Sequence, residues 1–542
     1  MDIFISGTIS LILSVVSVYS SYAFLKAFQQ RGYKKTGYLR WLYKDNGKYT
    51  SRRFNVTLFS VFSYILFLTL FGVFNFPLVS YLAFAFFVIF SVIYGHSQRK
   101  DERQKLDQTS RMKRLEATLV VVNFAVYWGL ITLIRFIMDA NPISLWNYIG
   151  YSGVCLLTIV FPFFVIISDW IMFPIEHLRR EHYKKLALAK LSKNKDVINI
   201  GITGSFGKTT VKNILGTILA EKYSVLITAN SYNTPMGISK SLIDSYVSQD
   251  IFVCEMGARR KGEIKELAEF IPCKIGVITS VSRQHLEGFK TLENILDTKF
   301  ELVENLLPNG AMFFSGDNDG SIKLFDRAKC EKHMTSVNSE KEGISVTNIE
   351  VTKQGSNFTL KIGENTREVS TKLLGKHNIS NILLSVAVAN KLQLDIDEIK
   401  RGIEKLQPIP HRLQLVESCN GVTVIDDSYN ANPHGVKSAC EVLSLFSGKK
   451  IVVTSGLVEL GNMENYENKS LGEHLSACAS EVILIGAQRA TPIVEGLLEQ
   501  NYNKDKIHIC GDLSAATEVL KEIAESGDTV LFLNDLPDSY LA

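Results

Sequence analysis

Five long apolar runs occupy the first third of the 542-residue chain, and they constrain its fold more than any other feature. Each run approaches the ~20 residues that an α-helix needs to cross a bilayer. The runs therefore predict a membrane domain of about five transmembrane helices over residues 1–175. They span residues 3–24, 56–74, 78–94, 119–137 and 148–173.

The loops between these runs differ in charge. The first and third loops are rich in Lys and Arg, whereas the short loops near Asn75 and Asn141 carry neither. Because basic loops stay in the cytoplasm, we expect a multi-pass protein of the plasma membrane with its N-terminus outside and its catalytic domains in the cytoplasm. The basic segment 176–196 predicts a juxtamembrane linker helix, either lying near anionic lipid or solvated.

The overall composition argues against several classes of protein. The net charge is only +4, whereas a nucleic-acid-binding protein should carry a dominant basic stripe. The eight cysteines are scattered without a C-x-x-C pair, so neither a zinc site nor a redox site is indicated. The apolar runs contain few ionisable residues, which argues against an ion-coupled transporter.

After residue 197 the pattern changes to that of an α/β enzyme. A short apolar strand from Val197 to Ile200 runs into a glycine-rich loop at 201–210, and a helix with one apolar face follows. This order is typical of a phosphate-binding loop, in which backbone N–H groups and the helix N-terminus attract phosphate oxygens. We expect Lys208 to reach the β- and γ-phosphates and Thr209 to bind Mg²⁺. The other loop residues predicted to contact the nucleotide are Gly204, Ser205, Gly207 and Thr210.

Two polar side chains follow later strands of the same pattern. A buried strand at 250–254 ends in Glu255, and another strand at 275–279 precedes His285. Because sites in parallel α/β sheets form at the carboxyl ends of strands, Glu255 is placed to bind Mg²⁺. His285 has two interpretations, as a metal or phosphate ligand and as a structural histidine.

From residue 197 to the C-terminus, several separated motifs resemble those of the Mur ligases and occur in the same order. The resemblance is in particular to the members that add D-alanyl-D-alanine to a UDP-linked muramoyl tripeptide. The first motif has the family's form G-x-x-G-S-x-G-K-[ST]-[ST], and the last has the form D-D-x-Y-N-A-N-P. The motifs lie at 201–210, 228–233, 255–258, 285–289, 297–301, 375–381 and 426–433.

The resemblance implies a ligase that phosphorylates a carboxylate with ATP and passes the acyl group to an amine. It implies ATP and two Mg²⁺ ions as cofactors, with Lys208, His285 and Lys299 as catalytic residues. Carbamylation of Lys299 would supply an anionic oxygen donor, which a hard cation prefers. The implied magnesium ligands are Thr209, Glu255, His285 and Lys299. The implied nucleotide contacts beyond the loop are Asn378, Arg412, Asp426 and Asp427, and the implied substrate contacts are Asn233, Tyr429, Asn430 and Asn432.

The same resemblance implies the fold class. After the α-helical transmembrane domain we expect a Mur-type central α/β ATP-binding domain at 197–408 and a smaller Rossmann-like α/β domain at 409–542. The chain departs from the family in two places. Membrane helices stand where the family has its UDP-sugar-binding domain, and residues 529–535 replace a K-G-S segment, which leaves the incoming amine open. Glu459 has two interpretations, as a residue that helps to recognise the incoming amine and as a structural residue.

These departures lead to the main functional prediction. We expect the chain to join an amino acid or short peptide to a lipid-linked or membrane-proximal precursor of the cell envelope. Membrane lipid and other membrane enzymes of envelope synthesis are then expected partners. One alternative is the ordinary peptidoglycan step, which adds D-alanyl-D-alanine to a UDP-linked precursor, with the helices as an anchor. A second alternative is a nucleotide-binding scaffold without ligase activity.

Overall fold

The computed structural model describes residues 2–44, 106–139, 160–284, 286–417, 421–429 and 432–534, with short pieces between residues 85 and 96. The chain divides near residue 178 into two compact units, and the second runs from Arg179 to Leu536. The longer helices that begin in the first unit are α1 (Asp2–Tyr19), α2 (Tyr22–Gln30), α3 (Lys35–Lys44), α4 (Ser110–Asp139) and α5 (Phe161–Leu191).

Some of these helices have the length and composition of membrane spans. Ser110–Leu133 within α4 and Phe161–Leu191, which is α5, are long and apolar enough to cross a bilayer. Ser6–Tyr19 and Tyr22–Gln30 are bent by 51° and make a third candidate if the pair forms one span. These stretches overlap the first, fourth and fifth predicted runs. They are candidates by length and composition alone, so the multi-pass membrane domain remains a prediction. The predicted runs outside the described residues are 56–74 and most of 78–94.

Helix α5 extends to Leu191 and so includes most of the segment 176–196 that was predicted as a separate linker. Near its end, Ala187 and Leu191 are buried in an apolar cluster of the second unit. Lys184 Nζ donates a hydrogen bond to Glu266 Oε1 at 3.0 Å. One face of the linker therefore packs against protein. Neither predicted alternative, a helix lying near lipid or a solvated helix, included this contact. The reason is its pair of apolar residues at i and i+4, which share one helix face.

A six-stranded sheet with the order β2-β3-β1-β4-β5-β6 forms the first part of the second unit, and all its neighbouring strands are parallel. In this sheet Ile202 of β1 lies beside Glu255 of β3. The loop after β1 and the carboxylate that ends β3 therefore share one edge. The strands are β1 (Ile198–Thr203), β2 (Val225–Ile227), β3 (Ile251–Glu255), β4 (Ile275–Ile278), β5 (Ala311–Ser315) and β6 (Glu331–Thr335).

Helices cover both faces of this sheet, and a three-stranded antiparallel meander follows it. The apolar stripe of α6 packs with α12 and α13 in one cluster, and α7, α8 and α10 contribute to a second cluster. The helices are α6 (Lys208–Leu219), α7 (Pro235–Ser245), α8 (Glu263–Phe270), α9 (Leu286–Phe289), α10 (Leu292–Glu304), α11 (Asp319–Arg327), α12 (Lys376–Lys391) and α13 (Ile396–Glu404). The meander strands are β7 (Ile344–Thr352), β8 (Gly355–Ile362) and β9 (Asn365–Thr371).

A second six-stranded sheet, with the order β10-β11-β15-β12-β13-β14, forms the C-terminal domain. It is parallel except for the edge strand β10, so the predicted α/β class of both domains is confirmed. The strands are β10 (Gln414–Glu417), β11 (Thr423–Asp427), β12 (Lys450–Thr454), β13 (Glu481–Ile485), β14 (Ile507–Cys510) and β15 (Thr529–Leu533). The helices are α14 (Pro433–Ser444), α15 (Glu464–Cys478), α16 (Ala487–Glu499) and α17 (Leu513–Ile523).

Two glycines allow α15 and α16 to pack backbone against backbone. A Cβ on Gly472 would lie 2.1 Å from the carbonyl oxygen of Ile493, and one on Gly496 would lie 2.0 Å from that of Lys469. Alanine normally favours a helix over glycine by about 1 kcal/mol. We nevertheless expect Gly472→Ala to destabilise the domain by ~1–3 kcal/mol, because a backbone atom must move to admit the methyl group.

Thermal unfolding of the purified chain measures this effect. Gly511→Ala is the matched control, because nothing lies within 4 Å of a Cβ at Gly511. A rise in the melting temperature of Gly472→Ala would show that the two helices can separate at no cost.

Candidate active site

The loop between β1 and α6 has the backbone geometry of a phosphate cradle. Gly204 and Gly207 have φ angles of +156° and +81°, which favour glycine. A Cβ on Gly204 would lie 2.1 Å from Thr279 Oγ1. Helix α6 begins at Lys208, so the N–H groups of its first turn face the loop. Such a helix N-terminus attracts anions such as phosphate.

The side chain of Lys208 contacts the backbone of this loop. Its Nζ donates hydrogen bonds to the carbonyl oxygens of Gly204 at 2.9 Å and Ser205 at 3.0 Å. Burial lowers the pKa of the Lys208 amine to about 8, with Glu255 opposing the shift and Arg412 adding to it. A phosphate group beside this poorly solvated ammonium would gain a strong electrostatic interaction.

Glu255 is the centre of a buried polar cluster at the end of β3, with only 1% of its surface exposed. Its Oε2 accepts a hydrogen bond from Thr209 Oγ1 at 2.9 Å, and its Oε1 accepts one from Asn233 Nδ2 at 3.2 Å. Lys212 Nζ lies 3.4 Å from Oε2. The fold thus brings together three residues predicted for the site and adds a fourth, Lys212.

Lys212 was not among the residues that the sequence pattern indicated. The apolar periodicity of α6 indicates a core face, and Lys212 lies at the margin of that face, one turn after Lys208 and among the buried residues of the helix. The spacing of Lys208 and Lys212 could have indicated this residue, since residues at i and i+4 share a helix face. Burial lowers the pKa of Lys212, and Glu255 opposes that shift.

Lys299 lies on α10 with 3% of its surface exposed. Burial lowers the pKa of its amine to about 7, and Lys208 adds to this, while Glu263 and Glu301 oppose it. Its Nζ is 5.9 Å from the centroid of the Phe289 ring. An amine with this pKa is partly neutral at physiological pH. The neutral amine is the form that reacts with carbon dioxide. His285 lies outside the described residues.

A cavity of about 460 Å³ adjoins the phosphate loop. It reaches from the loop to the start of α12 and to the C-terminal domain, so its walls come from distant parts of the chain. Its size suits a nucleoside, since ligand cavities start at about 300 Å³. The predicted site residues that line it are Gly207, Thr210, Asn378, Arg412, Asp427 and Asn432.

The two adjacent aspartates of β11 have different surroundings. Asp427 lines the cavity, and burial raises the pKa of its carboxyl to about 6, with the N–H of Leu413 opposing the shift. Asp426 instead accepts a hydrogen bond from Ser428 Oγ at 2.6 Å, and its Oδ2 lies 2.7 Å from His411 Nδ1. Strand alternation places neighbouring side chains on opposite faces, so only one of the two can face the nucleotide.

The predicted substrate residues that follow β11 are only partly placed. Tyr429 is half exposed, and the Arg412 guanidinium lies 4.6 Å from its ring centroid. Asn432 Oδ1 accepts a hydrogen bond from the N–H of Gly435 at 3.0 Å, as an N-cap residue does at the start of a helix, here α14. Asn430 lies outside the described residues.

The cavity also contains residues that sequence reasoning missed. Asp317 follows β5 and accepts hydrogen bonds from Ser336 Oγ at 2.6 Å and Ser380 Oγ at 2.5 Å. Asn318 beside it caps α11 and also lines the cavity. The strand-end rule that indicated Glu255 applies equally to β5 and could have found both.

Ion pairs join the two domains of the second unit on the side of Glu255. Arg259 Nη1 lies 3.5 Å from Glu459 Oε1, and Arg283 Nη1 lies 4.0 Å from Glu467 Oε1. Glu459 has a φ of +61°, which is strained for a residue other than glycine. The contact with Arg259 gives Glu459 a role in joining the two domains. The sequence had suggested either recognition of the incoming amine or a structural role for this residue.

Asn534 directly follows β15, within the segment 529–535 that stands where the resembling ligases have K-G-S. Its Nδ2 donates to the carbonyl oxygen of Gly456 at 2.6 Å, and its own carbonyl accepts from Ser455 Oγ at 3.0 Å. These bonds tie the carboxyl ends of β15 and β12 together.

Two family models match this chain. Residues 202–389 match the Mur ligase middle domain, and residues 411–534 match the Mur ligase, glutamate ligase domain. Together they cover more than half of the chain and both domains that form the site. The matched ranges include Lys208, Glu255 and Lys299 in the first domain and Arg412 and Asp427 in the second.

Individual relatives agree with these matches. The UDP-N-acetylmuramoyl-tripeptide–D-alanyl-D-alanine ligase of Bacillus subtilis is 28% identical over 61% of this chain and 72% of its own length. The enzyme of that name from Escherichia coli is 30% identical over 53% of this chain and 64% of its own length. The crystal structure of MurF ligase from Thermotoga maritima in complex with ADP has a TM-score of 0.59 at 27% identity, covering 66% of this chain and 80% of that one.

Proposed function

The chain belongs to the Mur ligase family of ATP-dependent, amide-bond-forming ligases, and from this premise we propose that it joins the amine of an amino acid or short peptide to a peptide carboxylate of a cell-envelope precursor. One observation carries the proposal. Thr209 donates a hydrogen bond to Glu255, which also interacts electrostatically with Lys208. The neighbours of these two loop residues, Gly207 and Thr210, line a cavity that extends to Asn378 and Asp427. That arrangement suits a nucleotide whose γ-phosphate points toward Glu255.

The chemistry takes two steps. A carboxylate oxygen attacks the γ-phosphorus of ATP and ADP leaves, which makes the carboxyl carbon a good electrophile. The amine then attacks that carbon, phosphate leaves with the C–O bond electrons, and the amine loses a proton. Charge on the transferred phosphoryl group must be met by cations that are already in place. Lys208 supplies such a charge from the chain itself.

The donor atoms at Glu255 fit Mg²⁺. Thr209 and Glu255 present a hydroxyl and a carboxylate oxygen, which hard divalent cations prefer. Mg²⁺ held there would neutralise phosphate charge. The Lys299 amine has a pKa lowered by burial to about 7, so its neutral form is available to add carbon dioxide and release a proton. The resulting carbamate would provide oxygen donors for a second ion. Within the described residues no group of three His, Cys, Asp or Glu side chains is arranged as a metal cage.

The first candidate for the acceptor is a UDP-linked muramoyl peptide, with D-alanyl-D-alanine as the amine. The relatives that share both domains are named for that reaction. They support this alternative better than the lipid-linked acceptor that the membrane helices suggested.

The second candidate is a lipid-linked or membrane-proximal acceptor. Two observations favour it: the family match begins only at residue 202, and helices able to span a membrane precede it. The matched share of the relatives, 72% and 64%, leaves part of their length without a counterpart in the match. A different acceptor would explain a different N-terminal region.

The purified full chain, incubated with ATP and a panel of amino acids and dipeptides, distinguishes these candidates. One arm contains a UDP-linked muramoyl tripeptide and the other contains membrane lipid extract. We expect phosphate release and a new amide product, identified by mass, with the UDP-linked precursor. Product formed only in the lipid arm would favour the second candidate. Nucleotide binding without turnover in either arm would favour the scaffold alternative.

A further inference from the structure

Lys212 is a buried lysine beside the active site with no assigned role. Its side chain is 1% exposed, although lysine is almost never fully buried unless it is paired. Its Nζ donates a hydrogen bond to the carbonyl oxygen of Asn230 and lies 3.4 Å from Glu255 Oε2. The ammonium therefore bridges the carboxylate at the end of β3 and the loop after β2.

That loop, residues 228–233, is held at several points. Asn230 has a φ of +45°, a conformation that persists only where the surroundings enforce it. The N–H of Ala229 donates to Ser241 Oγ at 3.1 Å. At the other end, Asn233 Nδ2 donates to Glu255 Oε1, and a Cβ on Gly257 would lie 2.6 Å from Asn233 Cγ.

Glu255 is thus linked to the loop through both of its carboxylate oxygens. Oε1 accepts a hydrogen bond from Asn233 of the loop, and Oε2 lies beside Lys212, which donates to the loop carbonyl of Asn230. We propose that Lys212 is a positioning residue that sets the 228–233 loop and the Glu255 carboxylate as one unit. The loop and the carboxylate, which would hold Mg²⁺, then move together. The inference rests on the proposed function in taking Glu255 as the magnesium ligand.

The chemistry of the contacts explains why a lysine is needed. An apolar side chain of similar length could fill the space, but it could not donate to a backbone carbonyl and attract a carboxylate at once. Arginine keeps the charge and several donors in a planar group. It should therefore preserve the bridge in part, whereas methionine should remove it.

Binding of ADP to the full chain, measured by calorimetry in Mg²⁺ and in EDTA, tests the proposal without an acceptor. We expect Lys212→Met to reduce the Mg²⁺-dependent gain in ADP affinity about 10-fold, while affinity in EDTA changes little. That ratio corresponds to about 1.4 kcal/mol. Amide exchange in residues 228–233 should become faster, and Lys212→Arg should restore most of both properties. Lys222→Met, at an exposed lysine after the same helix, is the matched control.

An unchanged Mg²⁺ effect and unchanged loop exchange in Lys212→Met would overturn the inference. If Lys212→Met does not fold, Lys212→Gln, which keeps a donor of shorter reach, takes its place with the same expected and contrary results. Absence of ADP binding by the wild-type chain would contradict the proposed function instead, so the two failures are distinguishable.

Discussion

Lys208→Met is expected to lower ATP turnover by about 10²–10³-fold or more while leaving the fold intact. The ammonium is the cation that this chain itself places at the phosphate loop, where its Nζ lies within 3.0 Å of two loop carbonyls. Methionine fills the same volume without charge. Phosphate release measured with saturating substrates gives the loss directly, and Lys222→Met should keep wild-type turnover.

The stability of Lys208→Met follows from the pKa of the lysine. On folding, burial lowers that pKa from 10.5 to about 8, so the charged amine costs roughly 3 kcal/mol below pH 8. Methionine removes this cost but also two hydrogen bonds, each worth about 1 kcal/mol. The melting temperature at pH 7 should therefore stay close to that of the wild type.

The pH dependence provides a further check. A base whose folded pKa lies below its unfolded value makes the wild type gain stability as pH rises from about 8 to 10.5. The variant lacks this gain, so the wild type should become the more stable of the two at high pH. Turnover within 10-fold of wild type would show that Lys208 does not act on the phosphoryl group.

Glu255→Gln is expected to abolish turnover and, unlike Lys208→Met, to destabilise the protein. The glutamine loses the charge that Mg²⁺ requires. It also leaves Lys212, which is 1% exposed, without its ion-pair partner. Breaking a buried pair by removing one partner costs about 3–5 kcal/mol. Thermal unfolding and phosphate release on the same preparation measure the two effects.

The double variant Glu255→Gln/Lys212→Met separates them. It should regain much of the lost stability, because no unpaired charge remains buried, but it should stay inactive. Equal melting temperatures of the wild type and Glu255→Gln would show that the pair contributes nothing to folding.

The parts of the site that sequence reasoning found are those with local chemistry. The glycines of the loop, Lys208 and Thr209 lie within one strand-loop-helix unit, and their spacing is itself the signal. Glu255 followed from a general property of parallel sheets, in which the carboxyl ends of strands share an edge. The register that places Ile202 beside Glu255 agrees with this argument.

Other features depend on contacts between segments far apart in the chain. The bridge from Lys212 to Asn230 exists because α6 packs against the loop after β2. The different surroundings of Asp426 and Asp427 depend on His411, Leu413 and the cavity wall. The burial of Ala187 and Leu191 near the end of α5 depends on an apolar cluster formed by distant parts of the chain.

The sequence by itself determined the phosphate loop between its strand and helix, the α/β class of the ligase domains and the family, because periodicity and motif spacing are properties of a few neighbouring residues. Only the tertiary structure decided which charged groups are buried together, since burial depends on which distant elements pack on them. The apolar runs show the same division. Their length alone predicts helices able to cross a membrane, whereas the partners of the helix that leads from them into the ligase became visible only in the fold.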